Sequence, residues 1–211
     1  MSTQKMYDQW SAIYDAMDNP TRDLEKRACE MTLGKVNFDS VIELGSGTGK
    51  NTEWLASRAK TVTCVDLSAE MRSVAQSKIL AANVRFMLGD IREGWSFLKQ
   101  KADLITSSLI LEHIEHLDHV FQEAFDHLNP DGHFYVCELH PFKQYSGSKA
   151  RFEAEGKLHV LDCYLHHVTD YTESAVATGF VVERIDEWFD DDDRRNIPRL
   201  ISFLFKREAN G

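Results

Sequence analysis

The chain has 211 residues, of which 43% are hydrophobic and 27% are charged, a balance that is typical of one globular domain and excludes a largely disordered chain. Its formal net charge of -10 excludes a long interface with nucleic acid, because such an interface needs clustered lysine and arginine to neutralise phosphates. No apolar segment reaches the length of a signal-peptide core or of a bilayer-spanning helix, so we expect a cytoplasmic protein with no membrane partner.

Strand-like and helix-like segments alternate along the first two thirds of the chain. Short apolar runs predict buried strands at residues 40–44, 61–65, 84–88, 103–106 and 133–137. Helices are predicted at residues 50–58, 69–81 and 112–128, with Ser68 as the N-cap of the second. This alternation predicts an α/β fold with a doubly wound parallel sheet, helices on both faces, and ligands at the carboxyl ends of the strands.

The last third of the chain begins with turn chemistry. The residues at 129–132, Asn-Pro-Asp-Gly, suit a tight reversal after the predicted helix. Two further strands are predicted at 180–185 and 199–205, and these could pair antiparallel. The acidic run at 190–193 between them predicts a solvated loop, because successive carboxylates do not converge on one cation.

No metal site is predicted from the cysteines or histidines. The cysteines never form a Cys-x-x-Cys pair, and we expect reduced thiols at Cys29, Cys64, Cys137 and Cys163. Histidine recurs at every third position over residues 113–119, which spreads the rings across a helix surface, whereas zinc favours an i, i+4 pair.

The most specific motif joins the first predicted strand to a glycine-rich loop, Gly45-Ser46-Gly47-Thr48-Gly49. Glycine allows positive φ and a close approach of the backbone to a ligand, and the following helix offers free N–H groups. Asp66 ends the second strand, where its carboxylate can accept hydrogen bonds from ribose hydroxyls. Asp90 follows the third strand and could accept the exocyclic amine of an adenine. A nucleotide-like ligand is therefore predicted.

In this order the motifs resemble those of the class I methyltransferases, in particular the small-molecule enzymes related to ubiquinone-biosynthesis methyltransferases. The resemblance implies S-adenosylmethionine as cofactor and a Rossmann-like seven-stranded sheet, mainly parallel with an antiparallel C-terminal strand. It implies one domain over residues 1–211, with a helical lid at 1–35 and a substrate-side loop insertion at 138–165. The implied cofactor-binding residues are Glu43, Gly45, Ser46, Gly47, Thr48, Gly49, Asp66, Leu67, Met71, Gly89, Asp90, Ile91 and Ser107.

Three alternatives compete with methyl transfer to a nitrogen, oxygen or carbon of a small molecule. A nicotinamide dehydrogenase shares the glycine loop and the acid, but its Gly-x-Gly-x-x-Gly fingerprint requires glycine where this chain has Lys50. An enzyme of the same fold could transfer another part of S-adenosylmethionine. A partner protein could bind the cofactor without catalysis.

Candidate catalytic residues are His113 and His140. The resemblance places His113 close to the sulfonium. His140 follows the fifth strand and has an ordinary pKa suited to a general base, but a histidine before proline could instead anchor a turn. Tyr7 and Tyr14 share a helical face with Trp10, which fits either a lid or a helix docked on the core. The predicted substrate-binding residues are Tyr7, Tyr14, Tyr145, Arg151, His166 and His167.

Overall fold

The computed structural model describes residues 3–147, 151–154, 157–160 and 163–209. Its strands are β1 (Ser40–Leu44), β2 (Thr61–Asp66), β3 (Val84–Leu88), β4 (Ala102–Ser108), β5 (Leu128–Leu139), β6 (Arg151–Ala154), β7 (Lys157–Val160), β8 (Phe180–Trp188) and β9 (Leu200–Arg207). Its α-helices are α1 (Thr3–Tyr14), α2 (Pro20–Leu33), α3 (Thr52–Arg58), α4 (Ala69–Lys78), α5 (Asp118–His127), α6 (Pro141–Tyr145) and α7 (Val168–Thr178).

Seven strands form one sheet in the order β3-β2-β1-β4-β5-β9-β8. Strands β1 to β5 pair in parallel, and β9 is antiparallel to both of its neighbours, β5 and β8. The predicted sheet is thus confirmed, including the antiparallel pairing of the two C-terminal strands. The strands β6 and β7 form a separate antiparallel pair.

Helices cover both faces of the sheet, as predicted. On one face α2 packs against the strands through Leu24, Ala28 and Leu33, each of which is buried. On the other face α5 contributes Phe121 and α7 contributes Tyr171 to a second apolar cluster. Because both faces are covered, β1 is buried over four of its five residues, which explains its uninterrupted apolar sequence.

The helix predicted at 112–128 is wrong in its first turns. Leu111–His113 forms a short 3-10 helix, and the α-helix begins only at Asp118. The predicted reversal at 129–132 is also different, because Leu128 already pairs with Ala102 of β4 and His133 pairs with Leu104. The four residues between are a bulge inside β5, with Asp131 at φ 62°.

Local sequence explains two helix starts. Ser68 precedes α4 and accepts a hydrogen bond from the backbone N–H of Met71 at 3.1 Å, so the predicted N-cap is confirmed. Asn19 caps α2 by accepting from the N–H of Arg22 at 3.1 Å, and Pro20 occupies the first helical position. Within the described ranges, no helix is long and apolar enough to cross a bilayer.

Candidate active site

A cavity opens at the carboxyl ends of β1, β2 and β4, where ligands gather in doubly wound sheets. Helices α1 and α2 cover it from the side opposite the strand ends. The sequence-predicted residues that line it are Tyr7, Tyr14, Glu43, Gly45, Ser46, Gly47, Thr48, Asp66, Leu67, Met71, Gly89, Asp90, Ile91 and His113. Most of the predicted cofactor residues and one predicted catalytic histidine therefore meet in one place.

The glycines of the loop have different roles. A Cβ on Gly45 would lie 2.4 Å from Ile110 Cγ2, and a Cβ on Gly49 would lie 2.4 Å from Ile79 Cδ1, so these two glycines permit packing. A Cβ on Gly47 would meet nothing within 4 Å, although its φ of +54° also favours glycine. Since Gly47 lines the cavity, this is the position where the backbone is open to a ligand.

Asp66 joins the glycine loop to the end of β2. Its Oδ2 accepts from the backbone N–H of Gly47 at 2.7 Å, and its Oδ1 accepts from the N–H of Ser68 at 2.8 Å. Burial raises the pKa of the Asp66 carboxyl, and these backbone donors oppose the shift. Each carboxylate oxygen accepts more than one hydrogen bond, so Asp66 keeps capacity for two hydroxyl groups.

Asp90 lies beside a cation that the sequence analysis did not consider. Arg92 donates to it through Nε at 2.9 Å and Nη2 at 2.6 Å, and through its backbone N–H at 3.0 Å. The Arg92 guanidinium holds the pKa of the Asp90 carboxyl below its usual range. An amine donor that reaches Asp90 must share it with Arg92, which also lines the cavity.

Glu43 is a buried acid at the cavity wall. Its Oε2 accepts from Thr52 Oγ1 at 2.5 Å and lies 3.4 Å from Cys64 Sγ. Burial raises the pKa of Glu43 to about 7, so the carboxyl is partly protonated at neutral pH. A cation bound nearby would favour its ionised form.

Helix α1 lies across the cavity and is held by loops that follow three strands. Tyr7 Oη hydrogen-bonds to His113 Nε2 at 2.9 Å, Ser68 Oγ donates to Asp8 at 2.6 Å, and Thr48 Oγ1 donates to Asp15 just beyond the helix at 2.6 Å. On its buried side the same helix packs Met6 and Trp10 against Met71 of α4. The helix is therefore both docked on the protein and placed over the cavity.

His113 and His140 have different surroundings. His113 faces the cavity and Tyr7. His140 does not line the cavity: its Nδ1 accepts from the backbone N–H of Phe142 at 3.2 Å, and its Nε2 lies 3.3 Å from Glu187. His140 is 3% exposed, and burial lowers its pKa. The structure thus puts His140 at the start of α6 as a turn anchor, the alternative that the sequence left open.

Several other predicted residues lie away from the cavity. Ser107 is fully buried, and Gly49 packs beneath the loop. Tyr145 is exposed and hydrogen-bonds to His167 at 2.5 Å, while His166 Nε2 lies 2.7 Å from the carbonyl oxygen of Ile114. The side chain of Arg151 lies outside the described part of the structure.

Glu138 is a site residue that the sequence analysis did not single out. Its Oε1 accepts from the backbone N–H groups of Ile110 at 3.1 Å and Leu111 at 3.0 Å, which fixes the segment that carries His113. Burial and the nearby Glu112 raise the pKa of Glu138 to about 8. A buried acid at the end of a predicted strand was the signal available for finding it.

Two further missed residues lie on α2. Arg22 and Glu25 line the cavity, and both are buried, at 8% and 3% exposure. They are three residues apart, so they lie on one helical face next to the apolar Leu24 and Ala28. Charged residues within an otherwise apolar helix face were the signal for this pair.

The sheet order, the glycine loop and the cavity together define the class I methyltransferase fold, the fold that binds S-adenosylmethionine. Residues 41–132 match the family model described as methyltransferase domain. The matched segment runs from β1 to the bulge of β5 and includes Asp66, Asp90 and His113.

Comparisons with individual proteins agree with this class. The chain is 34% identical over 127 residues to a trans-aconitate 2-methyltransferase of Deinococcus radiodurans, covering 59% of this chain and 45% of that protein. It is 26% identical over 204 residues to a demethylmenaquinone methyltransferase of Tropheryma whipplei, covering 90% of this chain and 78% of that protein. The chain thus spans less than half the length of the Deinococcus relative.

Among solved structures, the complex of DhpI with SAM and HEP is similar in fold. The TM-score is 0.75 at 22% identity, over 97% of this chain and 99% of that chain.

Proposed function

We propose that this protein is a methyltransferase that binds S-adenosylmethionine and transfers its methyl group to a nitrogen, oxygen or carbon of a small molecule. The observation that carries the proposal is the arrangement at Gly47 and Asp66. An open glycine backbone and a carboxylate with spare acceptor capacity face one cavity at adjacent strand ends. The family match over residues 41–132 supports the same assignment.

The residues present fit S-adenosylmethionine. Asp66 would bind the ribose hydroxyls, and Asp90 the adenine amine, with Met71 and Ile91 as apolar walls. Ser46 Oγ and Asn51 Oδ1 are buried without a hydrogen-bond partner among the described residues, which is the expected state of polar groups that face a ligand.

His113 and Tyr7 form the acceptor end in this proposal. When bound, the cofactor supplies a methyl group activated by a sulfonium. Tyr7 and His113 close the cavity at the end formed by α1 and the 3-10 helix, which excludes water and limits the directions of nucleophile approach. His113 Nε2 can take up a proton from a nucleophile in place of its hydrogen bond with Tyr7.

The domain predictions enter as part of the proposal. Residues 1–35 act as a lid over the cofactor, supported by the hydrogen bonds of α1 to three strand-end loops. Residues 138–165 act as the substrate-side insertion, supported by their position after β5. The relation to quinone-biosynthesis enzymes is proposed from the demethylmenaquinone methyltransferase likeness, which covers 90% of this chain.

Two experiments test the function. Thermal unfolding with S-adenosylhomocysteine should show a higher midpoint, and NAD should leave it unchanged, because binding to the folded state stabilises it by mass action. Incubation with methyl-labelled S-adenosylmethionine and a pool of cell metabolites should label one class of product. A midpoint raised by NAD alone would identify a dehydrogenase, and a co-product other than S-adenosylhomocysteine would identify transfer of another group.

The matched variants for the labelling experiment are His113→Ala and His116→Ala. His113 lines the cavity, whereas His116 is exposed on the same segment. We expect His113→Ala to lower product formation by about 100-fold, a typical contribution of a positioned acid or base, and His116→Ala to leave it unchanged. Cofactor binding without any labelled product in the unaltered protein would favour a non-catalytic partner.

A further inference from the structure

Helix α2 brings two opposite charges to one wall of the cavity. Arg22 is 8% exposed and Glu25 is 3% exposed, and both belong to the cavity lining. Neither residue lies in the glycine loop or in the segment that matches the methyltransferase family model. Burial of a charge is costly unless a partner compensates it, so the partners of these two groups indicate what the wall is built to bind.

Arg22 is only partly satisfied by the protein. Its Nη2 donates to the carbonyl oxygen of Met17 at 2.8 Å, and its Cζ lies 4.0 Å from the ring centroid of Tyr14. Its Nε is buried and has no hydrogen-bond partner in the described part of the chain. Since a guanidinium stays protonated in proteins, the wall offers an oriented cationic donor to an anion.

Glu25 supplies the opposite charge beside it. Both of its oxygens accept from Asn51 Nδ2, at 3.1 and 3.0 Å. Burial raises the pKa of the Glu25 carboxyl, which shows that its charge lacks full compensation in the protein alone. Asn51 Oδ1 is buried without a partner among the described residues, so the wall also offers acceptors to a cationic donor.

These groups fit a ligand that carries a carboxylate and an ammonium on one carbon. Asp66 and Asp90 follow β2 and β3, whereas Asn51 follows the loop after β1, so the wall lies beyond the glycine loop from the predicted adenosine contacts. Glu43 of β1 also lines this part of the cavity. We propose that Arg22, Glu25 and Asn51 form the subsite for the amino-acid end of the cofactor, with Arg22 at its carboxylate and Glu25 at its ammonium.

The inference rests on the proposed function, and a pair of ligands tests it separately. S-adenosylhomocysteine carries the amino-acid end, and 5′-methylthioadenosine lacks it. Calorimetric titration of Arg22→Met and Glu25→Gln should show losses of affinity for S-adenosylhomocysteine of about tenfold or more, as for a hydrogen bond to a charged group. Affinity for 5′-methylthioadenosine should stay within about twofold of the unaltered protein.

The control is Arg27→Met, on the same helix. Arg27 is 43% exposed and pairs with the exposed Asp192, so its loss should change neither affinity. Circular dichroism and the thermal midpoint verify that each variant is folded, and Glu25→Gln preserves shape and one acceptor oxygen if Arg22→Met does not fold.

The outcomes separate the subsite from the function. Equal losses for both ligands, or no loss for S-adenosylhomocysteine, would overturn the subsite and leave the cofactor assignment standing. An unaltered protein that binds neither ligand would overturn the proposed function, and the subsite with it.

Discussion

The two ends of the cavity are built in different ways. At the β2 and β3 end, the contacts are short-range: Asp66 is held by backbone N–H groups of adjacent loops, and Gly47 leaves its own backbone open. At the other end, His113 sits on a short 3-10 helix fixed by Glu138 of β5 and contacted by Tyr7 of α1. The first end depends on local backbone geometry, and the second depends on tertiary packing of distant segments.

Each end also contains one buried acid, and the two acids should make stability depend on pH. Burial raises the pKa of Glu43 from 4.5 to about 7 and that of Glu138 to about 8. Between the ordinary and the raised pKa, the folded protein binds more protons than the unfolded chain. The free energy of unfolding therefore falls as pH rises through this interval.

The largest expected effect is the removal of that loss. Urea denaturation of Glu43→Gln should show a fall in stability between pH 5 and pH 8 that is about 2–3 kcal/mol smaller than in the unaltered protein. Glu138→Gln should also shrink the fall, over an interval that extends to about pH 8. Glu53→Gln, on an exposed part of α3, is the control. An unchanged pH dependence in both variants would contradict the assignment of buried acids to both ends.

The second prediction concerns Asp66. Asp66→Ala should weaken binding of S-adenosylmethionine and S-adenosylhomocysteine equally, by about 2 kcal/mol, because ribose is the same in both ligands. Asp66→Asn keeps one acceptor oxygen for Gly47 or Ser68 and should lose less. Calorimetry measures both. A loss confined to turnover, with cofactor affinity intact, would show that Asp66 does not hold the ribose.

A third prediction separates backbone strain from ligand contact. Gly47 and Gly147 both have positive φ, +54° and +87°, and a Cβ at either would meet no atom within 4 Å. Alanine at each position should cost similar folding free energy, about 1 kcal/mol. Only Gly47→Ala should also lower the affinity for S-adenosylhomocysteine, by about tenfold. Equal affinities in the two variants would mean that Gly47 serves the turn alone.

The smallest effect is expected for His140. His140→Ala removes the side chain that accepts from Phe142 N at the start of α6, so stability should fall by about 1 kcal/mol. Affinity for S-adenosylhomocysteine should not change, because His140 does not line the cavity. A loss of turnover as large as that of His113→Ala would show that His140 reaches the acceptor.

The sheet was predictable because each parallel strand is covered on both faces and is therefore a continuous apolar run, as in Ser40–Leu44. The break before α5 was not, because it depends on Glu138, a residue distant in sequence that binds the N–H groups of Ile110 and Leu111. Helical periodicity continues across the break and conceals it.

The same distinction holds for the site. Gly47 and Asp66 could be found from the sequence because their backbone geometry follows from a strand, a loop and a helix in immediate succession. His140 and His166 have suitable chemistry, but residue type alone does not fix the direction in which a side chain points. Arg22 and Glu25 were missed because the docking of α2 on the sheet, not a local motif, brings them to the cavity.

The position of α1 has a consequence for the rate of ligand exchange. Its contacts reach loops after β1, β2 and β4 through Asp15, Asp8 and Tyr7, so the helix region must release all three before the cavity opens. Entry of a cofactor then waits for this opening, and the observed association rate should level off as ligand concentration rises. Departure of the spent cofactor meets the same barrier, so helix opening, more than chemistry, sets the pace of each cycle.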